Sequence, residues 1–340
     1  MPEIDPASRP TLDEIVGHSA ARDYITRAMA NGQVPQALLF VGPQGIGKRT
    51  MAWALTRQLV AGGEDAATHR GSGKVQRGTH PDIKLVDTSQ SVAGIIPVDE
   101  IRALDDWAAT MPLEAENKIA IIAPAEAMNP SAANALLKLL EEPPAHLILI
   151  LTVADPATLL PTIRSRCSAV LLEPLAEEEL AAWIKQRGVA GATDDAEVIA
   201  RLAEGRPGRA IRMISEERWK ERELLLGELT LLRDHGFASV FRVAESIVQL
   251  GDDLRGTLEM IHLLLRDALV LRMGSPGIVN FDIEEGLRKF ADGLSPEALL
   301  EAAERIAEAT PRAEGFYTPQ ARMHFAETLV ISLGREFRLA

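Results

Sequence analysis

Ala37-Leu38-Leu39-Phe40-Val41-Gly42-Pro43-Gln44-Gly45-Ile46-Gly47-Lys48-Arg49-Thr50 is the stretch that decides how the first half of the chain folds. The apolar run Ala37–Val41, closed by a glycine, reads as a short strand buried on both faces. Thr50–Val60 continues as a helix. The link between them has the G-x-x-x-x-G-K spacing of a phosphate loop, in the strand-then-helix setting that the motif requires. Gly42, Gly45 and Gly47 let backbone N–H groups turn inward around phosphate oxygens, while Lys48 and the helix N-terminus supply positive charge. The next position normally carries a Ser or Thr hydroxyl that ligates Mg²⁺. Here it is Arg49, which cannot ligate a metal and adds a cation beside the metal position. Gly42, Gly45, Gly47, Lys48 and Thr50 are candidate contacts for ATP or ADP in a degenerate loop whose occupancy stays open. The competing reading is a glycine-rich turn that holds no ligand.

Working outward, helical and strand patterns alternate. Leu12–Ala30 reads as an amphipathic helix capped by Thr11, with Asp13 and Glu14 in its first turn. Gly62–Gly78 is polar, glycine-rich and without period, so it reads as a loop or insertion. Asp82–Val86, Lys118–Ile122, His146–Val153 and Ala169–Leu172 read as strands. Pro97–Met111 and Ser131–Glu142 read as helices, the second stopped by Pro143-Pro144. This alternation predicts a parallel sheet with helices on its faces. After Pro174 the strand signals stop. Glu177–Arg187, Asp195–Glu204 and Arg209–Ile214 read as short helices, and Glu216–Ala340 is helical in pattern throughout, including Leu254–Met273 and Pro296–Ala309. The expected fold is α/β plus all-α: a P-loop parallel-sheet domain at 1–173, a small helical lid domain at 174–215 and a larger helical domain at 216–340.

Composition excludes several classes. With 340 residues, 46% hydrophobic and 25% charged, the chain has the balance of an ordinary globular protein of two or three domains. No stretch approaches about 18 uncharged apolar residues, so no membrane span is expected. The net charge of −13 argues against a free-standing, high-affinity DNA binder, which carries a basic face, but leaves room for a weak contact inside an assembly. About half of that charge falls in 216–340, with 22 acidic and 15 basic residues. The single cysteine, Cys167, allows no internal disulfide and no cysteine-rich zinc site. Met1–Pro10 is polar, without the apolar centre of a signal peptide, and the expected location is the cytoplasm.

Hydrolysis at a phosphate loop needs an acidic residue at the end of a neighbouring strand to hold Mg²⁺, often followed by one that activates water. The strand Lys118–Ile122 would deliver them at Ala123 and Pro124, and neither is acidic. Glu126 could substitute only through a loop shift; its plain reading is a solvated loop carboxylate. The changes at Arg49 and at Ala123-Pro124 both point to a chain that does not hydrolyse ATP itself.

Other stretches carry a resemblance. Asn134-Ala135-Leu136-Leu137-Lys138-Leu139-Leu140-Glu141-Glu142-Pro143-Pro144 resembles a helix of the bacterial clamp-loader subunits of the AAA+ class. Ser165-Arg166-Cys167 resembles their Ser-Arg-Cys motif, placed after the strand ending at Thr152. Gly78-Thr79-His80-Pro81-Asp82 and Val98-Asp99-Glu100-Ile101-Arg102 are similar to further stretches of the same DNA polymerase III family. The resemblance is dense over residues 12–215 and rests on layout alone in the C-terminal third.

It implies an AAA+ P-loop domain with a lid and a C-terminal helical collar, through which five subunits form an open ring. It implies a hetero-oligomer with the gamma or tau motor subunits and the delta subunit, meeting the sliding clamp indirectly and primed DNA in the assembled complex. Arg166, with Ser165 and Cys167 as its motif context, would be an arginine finger completing the ATP site of a neighbouring motor subunit. Such fingers are worth about 10³–10⁵ in rate. The chain itself would then have no independent activity and would be a non-hydrolysing stator in a DNA polymerase holoenzyme, a nucleotidyltransferase complex. Competing readings are a structural ion pair for Arg166, Arg164 as the alternative cation, and Cys167 as a small packed residue. The alternative function is an autonomous AAA+ ATPase, such as a helicase loader or branch-migration motor. A P-loop kinase fits worst, because no acceptor site is evident and the helical C-terminus is large.

The sequence also departs from the family pattern. Many members carry a four-cysteine zinc module after the P-loop helix; Gly62–Arg77 has no cysteine, His69 and His80 cannot replace four ligands, and no zinc is expected. His80 reads as a hydrogen-bonding turn residue. Arg209, in Gly205-Arg206-Pro207-Gly208-Arg209-Ala210, is the candidate for the family's lid arginine but lies one position off the motor pattern, and reads as a helix-capping or solvent-facing residue. Thr152 ends its strand where the family's γ-phosphate sensor lies, and a strand threonine needs no such role.

Overall fold

The computed structural model describes residues 9–89, 91, 94–187, 195–215, 218–250, 254–315 and 318–337. Five strands form one sheet: β1 (Ala37–Val41), β2 (Ile83–Val86), β3 (Lys118–Ile122), β4 (Leu147–Val153) and β5 (Ser168–Leu171). Their order is β2-β3-β4-β1-β5, and every neighbouring pair is parallel. Around them lie α1 (Ser19–Ala30), α2 (Lys48–Ala61), α3 (Arg70–Gln76), α4 (Val98–Ala108), α5 (Pro130–Glu141) and α6 (Pro161–Arg164).

The strands are apolar at nearly every position because both faces are covered. Leu38, Phe40, Ile119, Ile121, Ile148 and Ile150 point to one side, where Ile25 of α1 and Met51 and Leu55 of α2 pack on them. Leu39, Ala120, Ile122, Leu149 and Leu151 point to the other, against Ile101 and Leu104 of α4 and Leu136 and Leu139 of α5. This is the period-two alternation of a strand, hidden in sequence by burial on both sides. Because the sheet is parallel, all strand C-termini share one edge and all N-termini the other, which is what places the functional groups below.

Two expectations need correction. Leu12–Ala30 is not one helix. Leu12–Glu14 form a short 3₁₀ turn closed by a Thr11–Glu14 capping box, and α1 starts only at Ser19. Gly17 and His18 between them have φ of 64° and 53°, a left-handed conformation that no continuous α-helix contains. Gly62–Gly78 is not all loop. It contains α3, whose Ser72 N–H is capped by His69 Nδ1 and whose Ser72 hydroxyl accepts from Arg57 Nε at 2.9 Å. His69 thus serves as a helix cap, and His80 Nδ1 accepts from the Asp82 amide at 3.2 Å in the turn before β2.

The chain packs as two compact units, residues 1–183 with 204–209 and residues 184–203 with 210–340. Every described element after β5 is helical: α7 (Glu177–Arg187), α8 (Ala196–Leu202), α9 (Pro207–Ser215), α10 (Glu221–His235), α11 (Val240–Gln249), α12 (Leu254–Arg272), α13 (Glu284–Ala291), α14 (Pro296–Ala309) and α15 (Pro319–Glu336), with short 3₁₀ turns between them. In the second unit Leu258, Ile261, Leu264 and Leu265 of α12 share one core with Leu299, Ala302 and Ile306 of α14 and Val330 and Leu333 of α15. Two buried charges brace it. Asp267 accepts from the backbone amides of Val279 and Asn280 and from Asn280 Nδ2. Arg222 donates through both terminal nitrogens to Asp282 and through Nη1 to Asn280. No described helix is long and apolar enough to cross a membrane.

Candidate functional site

The phosphate loop leaves β1 at its C-terminal edge. Gly45 and Gly47 have φ of 82° and 107°, conformations glycine adopts without strain, so these two positions explain the motif's residue choice. The Lys48 ammonium folds back onto the loop, donating to the carbonyl oxygens of Gly42 at 2.5 Å and Pro43 at 3.0 Å. Burial lowers the Lys48 pKa, and the negative charge of Glu126 works against that shift. His18 Nε2 lies 3.0 Å from the Ile46 carbonyl and so carries the proton there. Burial lowers the His18 pKa, opposed by that hydrogen bond and by Glu179, so the ring is neutral at pH 7. Gly208 N–H donates to Gly45 O at 2.8 Å, and a Cβ at Gly208 would come within 2.8 Å of the same oxygen. The start of α9 therefore rests on the loop backbone. Thr50 lies in the third position of α2.

Arg49 reaches across this edge to Asp87, directly after β2, and pairs with it at 2.8 Å. Burial works to raise the Asp87 carboxyl, but hydrogen bonds from Ser89 N and Oγ and the Arg49 guanidinium outweigh it and hold the group below its ordinary value. At the end of β3 stand Ala123 and Pro124, joined by a cis peptide bond; neither side chain is a carboxylate. Glu126 instead turns one oxygen to the Ala154 amide, just after β4, at 2.9 Å; its other oxygen is buried without a partner. Thr152 is buried in β4, opposite Phe40 of β1. The Arg209 guanidinium is 14% exposed and pairs with Glu204 at 2.9 Å, so it does not face solvent.

The Ser165-Arg166-Cys167 segment lies at the other edge. Arg166 precedes β5 by two residues, and Ser168, the first residue of β5, is in register with Leu38 of β1. The phosphate loop starts four residues further along β1, about 13 Å away at the rise of a strand. The Arg166 side chain turns to its own edge: Nη2 donates to Glu141 Oε1 at 2.7 Å and Nη1 to the Thr162 carbonyl at 3.1 Å. Ser165 Oγ also donates to Thr162 O, at 3.1 Å. Cys167 packs against the α4–α5 core, and burial pushes its thiol up to about 11. It is a packed residue with an inert thiol. The structure thus brings Gly42, Gly45, Gly47 and Lys48 together, and sets Ser165, Arg166 and Cys167 apart from them. Asp87 and Glu141, the carboxylates that each arginine meets, are 38 and 25 residues away in sequence, at separations no local pattern reports. Glu141 stood inside a quoted motif; Asp87 had no signal.

Residues 17–176 match the family described as DNA polymerase III, delta subunit, and residues 216–330 match DNA polymerase III, delta subunit, C terminal. DNA polymerase III subunit delta' of Escherichia coli (strain K12) is 29% identical over 272 residues, 79% of this chain and 80% of that protein. Among solved structures, a DNA polymerase III gamma subunit-related protein from Thermotoga maritima aligns with a TM-score of 0.48 at 16% identity, covering 92% of this chain and 99% of that one. The Thermotoga maritima RuvB Holliday junction branch migration motor aligns with a TM-score of 0.44 at 20% identity, covering 85% and 92%.

Proposed function

Because this chain belongs to the delta-prime family of DNA polymerase III clamp-loader subunits, we propose that it is the loader's non-hydrolysing stator, supplying Arg166 in trans to the ATP site of a neighbouring motor subunit. The observation that carries the reading is the placement of Arg166 and the phosphate loop on opposite edges of one parallel sheet. An arginine there cannot complete its own chain's site. A neighbour that packs its own phosphate loop against this edge receives a planar cation where charge develops on the transferred phosphoryl group.

The chain's own loop supports the same division of labour. Its residues do not fit a hydrolytic Mg²⁺–nucleotide. The hydroxyl ligand is replaced by an arginine held on Asp87, and β3 delivers Ala123 and Pro124 where a metal carboxylate would stand. Gly42, Gly45, Gly47, Lys48 and Thr50 retain the elements of an anion cradle, so vestigial ATP or ADP binding without turnover is compatible with the role, and no cofactor is required. In this reading 174–215 is the lid and 216–340 the collar that joins the motor and delta subunits. The assembled, cytoplasmic complex places the sliding clamp on primed DNA. The test is the DNA- and clamp-stimulated ATPase of a loader reconstituted with Arg166→Ala. A fall of about 10³-fold or more at the neighbouring site, with assembly intact, is expected; an unchanged rate in an intact loader overturns the reading.

One observation favours the rival reading of an autonomous ATPase. Glu126 acts electrostatically on Lys48 and keeps one buried oxygen without a partner. Turnover by the isolated chain decides between the two.

A further inference from the structure

We propose that Glu141 is a positioning residue for Arg166, holding the guanidinium in the one direction from which it serves the neighbouring site. The inference rests on the trans-arginine reading and extends it to a residue with no assigned role. Arg166 is held from two elements at once, by the Glu141 carboxylate at the end of α5 and by the Thr162 carbonyl within α6. Both anchors sit on fixed backbone. α5 is capped at its start by Asn129 and packs through Leu136, Leu139 and Leu140 into the core; Ile163 of α6 and Cys167, next to Arg166, pack into that same core. A long side chain with many rotamers thereby acquires one orientation.

The consequence for a reaction in trans is entropic. An unrestrained arginine surrenders its rotamer freedom when it meets a phosphate, whereas one already ordered does not. The ion pair is at the surface, with side-chain exposures of 35% for Arg166 and 50% for Glu141. Exposed pairs are weak, so the carboxylate orients the guanidinium without preventing it from turning further donors to an incoming anion. Beside the pair runs a cleft lined by Gln36, Leu140, Pro143, Arg166 and Ser168, open to solvent at this same edge. The guanidinium is therefore presented at a concave surface that an incoming group can enter.

The experiment uses the whole reconstituted loader with four versions of this chain: unaltered, Glu141→Ala, Arg166→Ala and the double variant. Single-turnover rate and KM for ATP are read with DNA and clamp present. Glu141→Ala is expected to lower the rate about fivefold, the equivalent of the upper end of an exposed ion pair, with KM and assembly unchanged. In the Arg166→Ala background it has no further effect, because the residue it positions is gone. Glu141→Gln keeps an acceptor oxygen and recovers part of the loss. A Glu141→Ala loader as fast as or faster than the unaltered one overturns the proposal, as does an equal loss in both backgrounds. If Arg166→Ala itself leaves the rate unchanged, the trans-arginine reading has failed and this inference falls with it. A slow Arg166→Ala loader beside a normal Glu141→Ala loader overturns the positioning role alone.

Discussion

Replacing Asp82 with alanine is expected to destabilise the sheet-containing unit by about 3–4 kcal/mol, the cost of breaking a buried charged hydrogen-bond group. Asp82 is fully buried. Its two oxygens accept three backbone N–H groups, from Leu113 at 2.8 Å, Glu114 at 2.7 Å and Ala115 at 2.9 Å. These hold the segment that leads into β3 against the turn that leads into β2, so the carboxylate fixes where two neighbouring strands begin. Asp82→Asn keeps the shape and one acceptor, and its expected cost is about half as large, roughly 1.5–2 kcal/mol. For a unit of this size, 3–4 kcal/mol corresponds to a fall in Tm of about 6–16 °C, readable by calorimetry. The pH dependence adds a second check. Burial works to raise the Asp82 pKa, but the three amides, with His80, outweigh it and leave the group below its ordinary value. A depressed folded-state pKa contributes stability above the unfolded pKa, near 3.9, and loses it as pH falls through the folded value. The gap between wild type and Asp82→Asn is therefore present at pH 7 and narrows as the pH falls below about 4. A cost under about 0.5 kcal/mol for Asp82→Ala, or a gap to Asp82→Asn that persists undiminished at pH 3, refutes the argument.

The isolated chain is expected to show no Mg²⁺-dependent ATP turnover in a coupled assay, and robust turnover lost in Lys48→Ala would contradict the account of Arg49 and Ala123-Pro124. Arg222→Ala is expected to destabilise the helical unit by about 3–5 kcal/mol in urea unfolding, because it leaves Asp282 and the buried Asn280 without their cation; a loss below about 1 kcal/mol would show that the pair adds little. With its pKa near 11, the Cys167 thiol is roughly one part in a thousand thiolate at pH 8. Its reaction with a disulfide reagent should be slow in the folded chain and speed up on unfolding, and equal rates in the two states would count against its burial.

Much of the sheet was legible because it is parallel and covered. β1 and β3 have the bounds read from their apolar runs, and the other strands differ by a residue or so at their ends. α5 was equally plain, stopped by the two prolines after it, although its asparagine cap at Asn129 appears only in the structure. The failures have tertiary causes. Arg70-Gly71-Ser72-Gly73 has the composition of a loop, yet Gly71 is small because α2 lies against it: a Cβ there would come within 2.8 Å of Val60 Cγ1. Close packing, not flexibility, selects that glycine. Gly17 interrupts the expected first helix for a similar reason, since a Cβ there would meet Leu175 at 2.8 Å, and no spacing within residues 12–30 encodes a neighbour so far along the chain. At the candidate site the motif residues were readable one by one, but their partners were not. Arg49 on Asp87 and Arg166 on Glu141 are tertiary pairings, each between segments whose adjoining strands are not neighbours in the sheet.

The two pairings also differ in how firmly each arginine is held, as the proposed role of Arg166 in trans requires. Arg49 and Arg166 are equally exposed, at 34% and 35%, so the difference lies in the carboxylates, Asp87 at 11% and Glu141 at 50%. Withdrawing Arg49 leaves Asp87 largely buried beside Ser89 without its cation, a loss of about 2–3 kcal/mol. Withdrawing Arg166 leaves Glu141 in water, a loss of about 0–1 kcal/mol. The first arginine is therefore expected to stay across its own loop, on Asp87. The second is held only weakly by Glu141, so it can turn its remaining donors to another molecule at small cost. The ordering is measurable in the free chain by thermal unfolding. Arg49→Ala should lower Tm by several degrees and Arg166→Ala by no more than a few. If Arg166→Ala is the more damaging, its guanidinium is a fixture of this fold, and the case for its service in trans is gone.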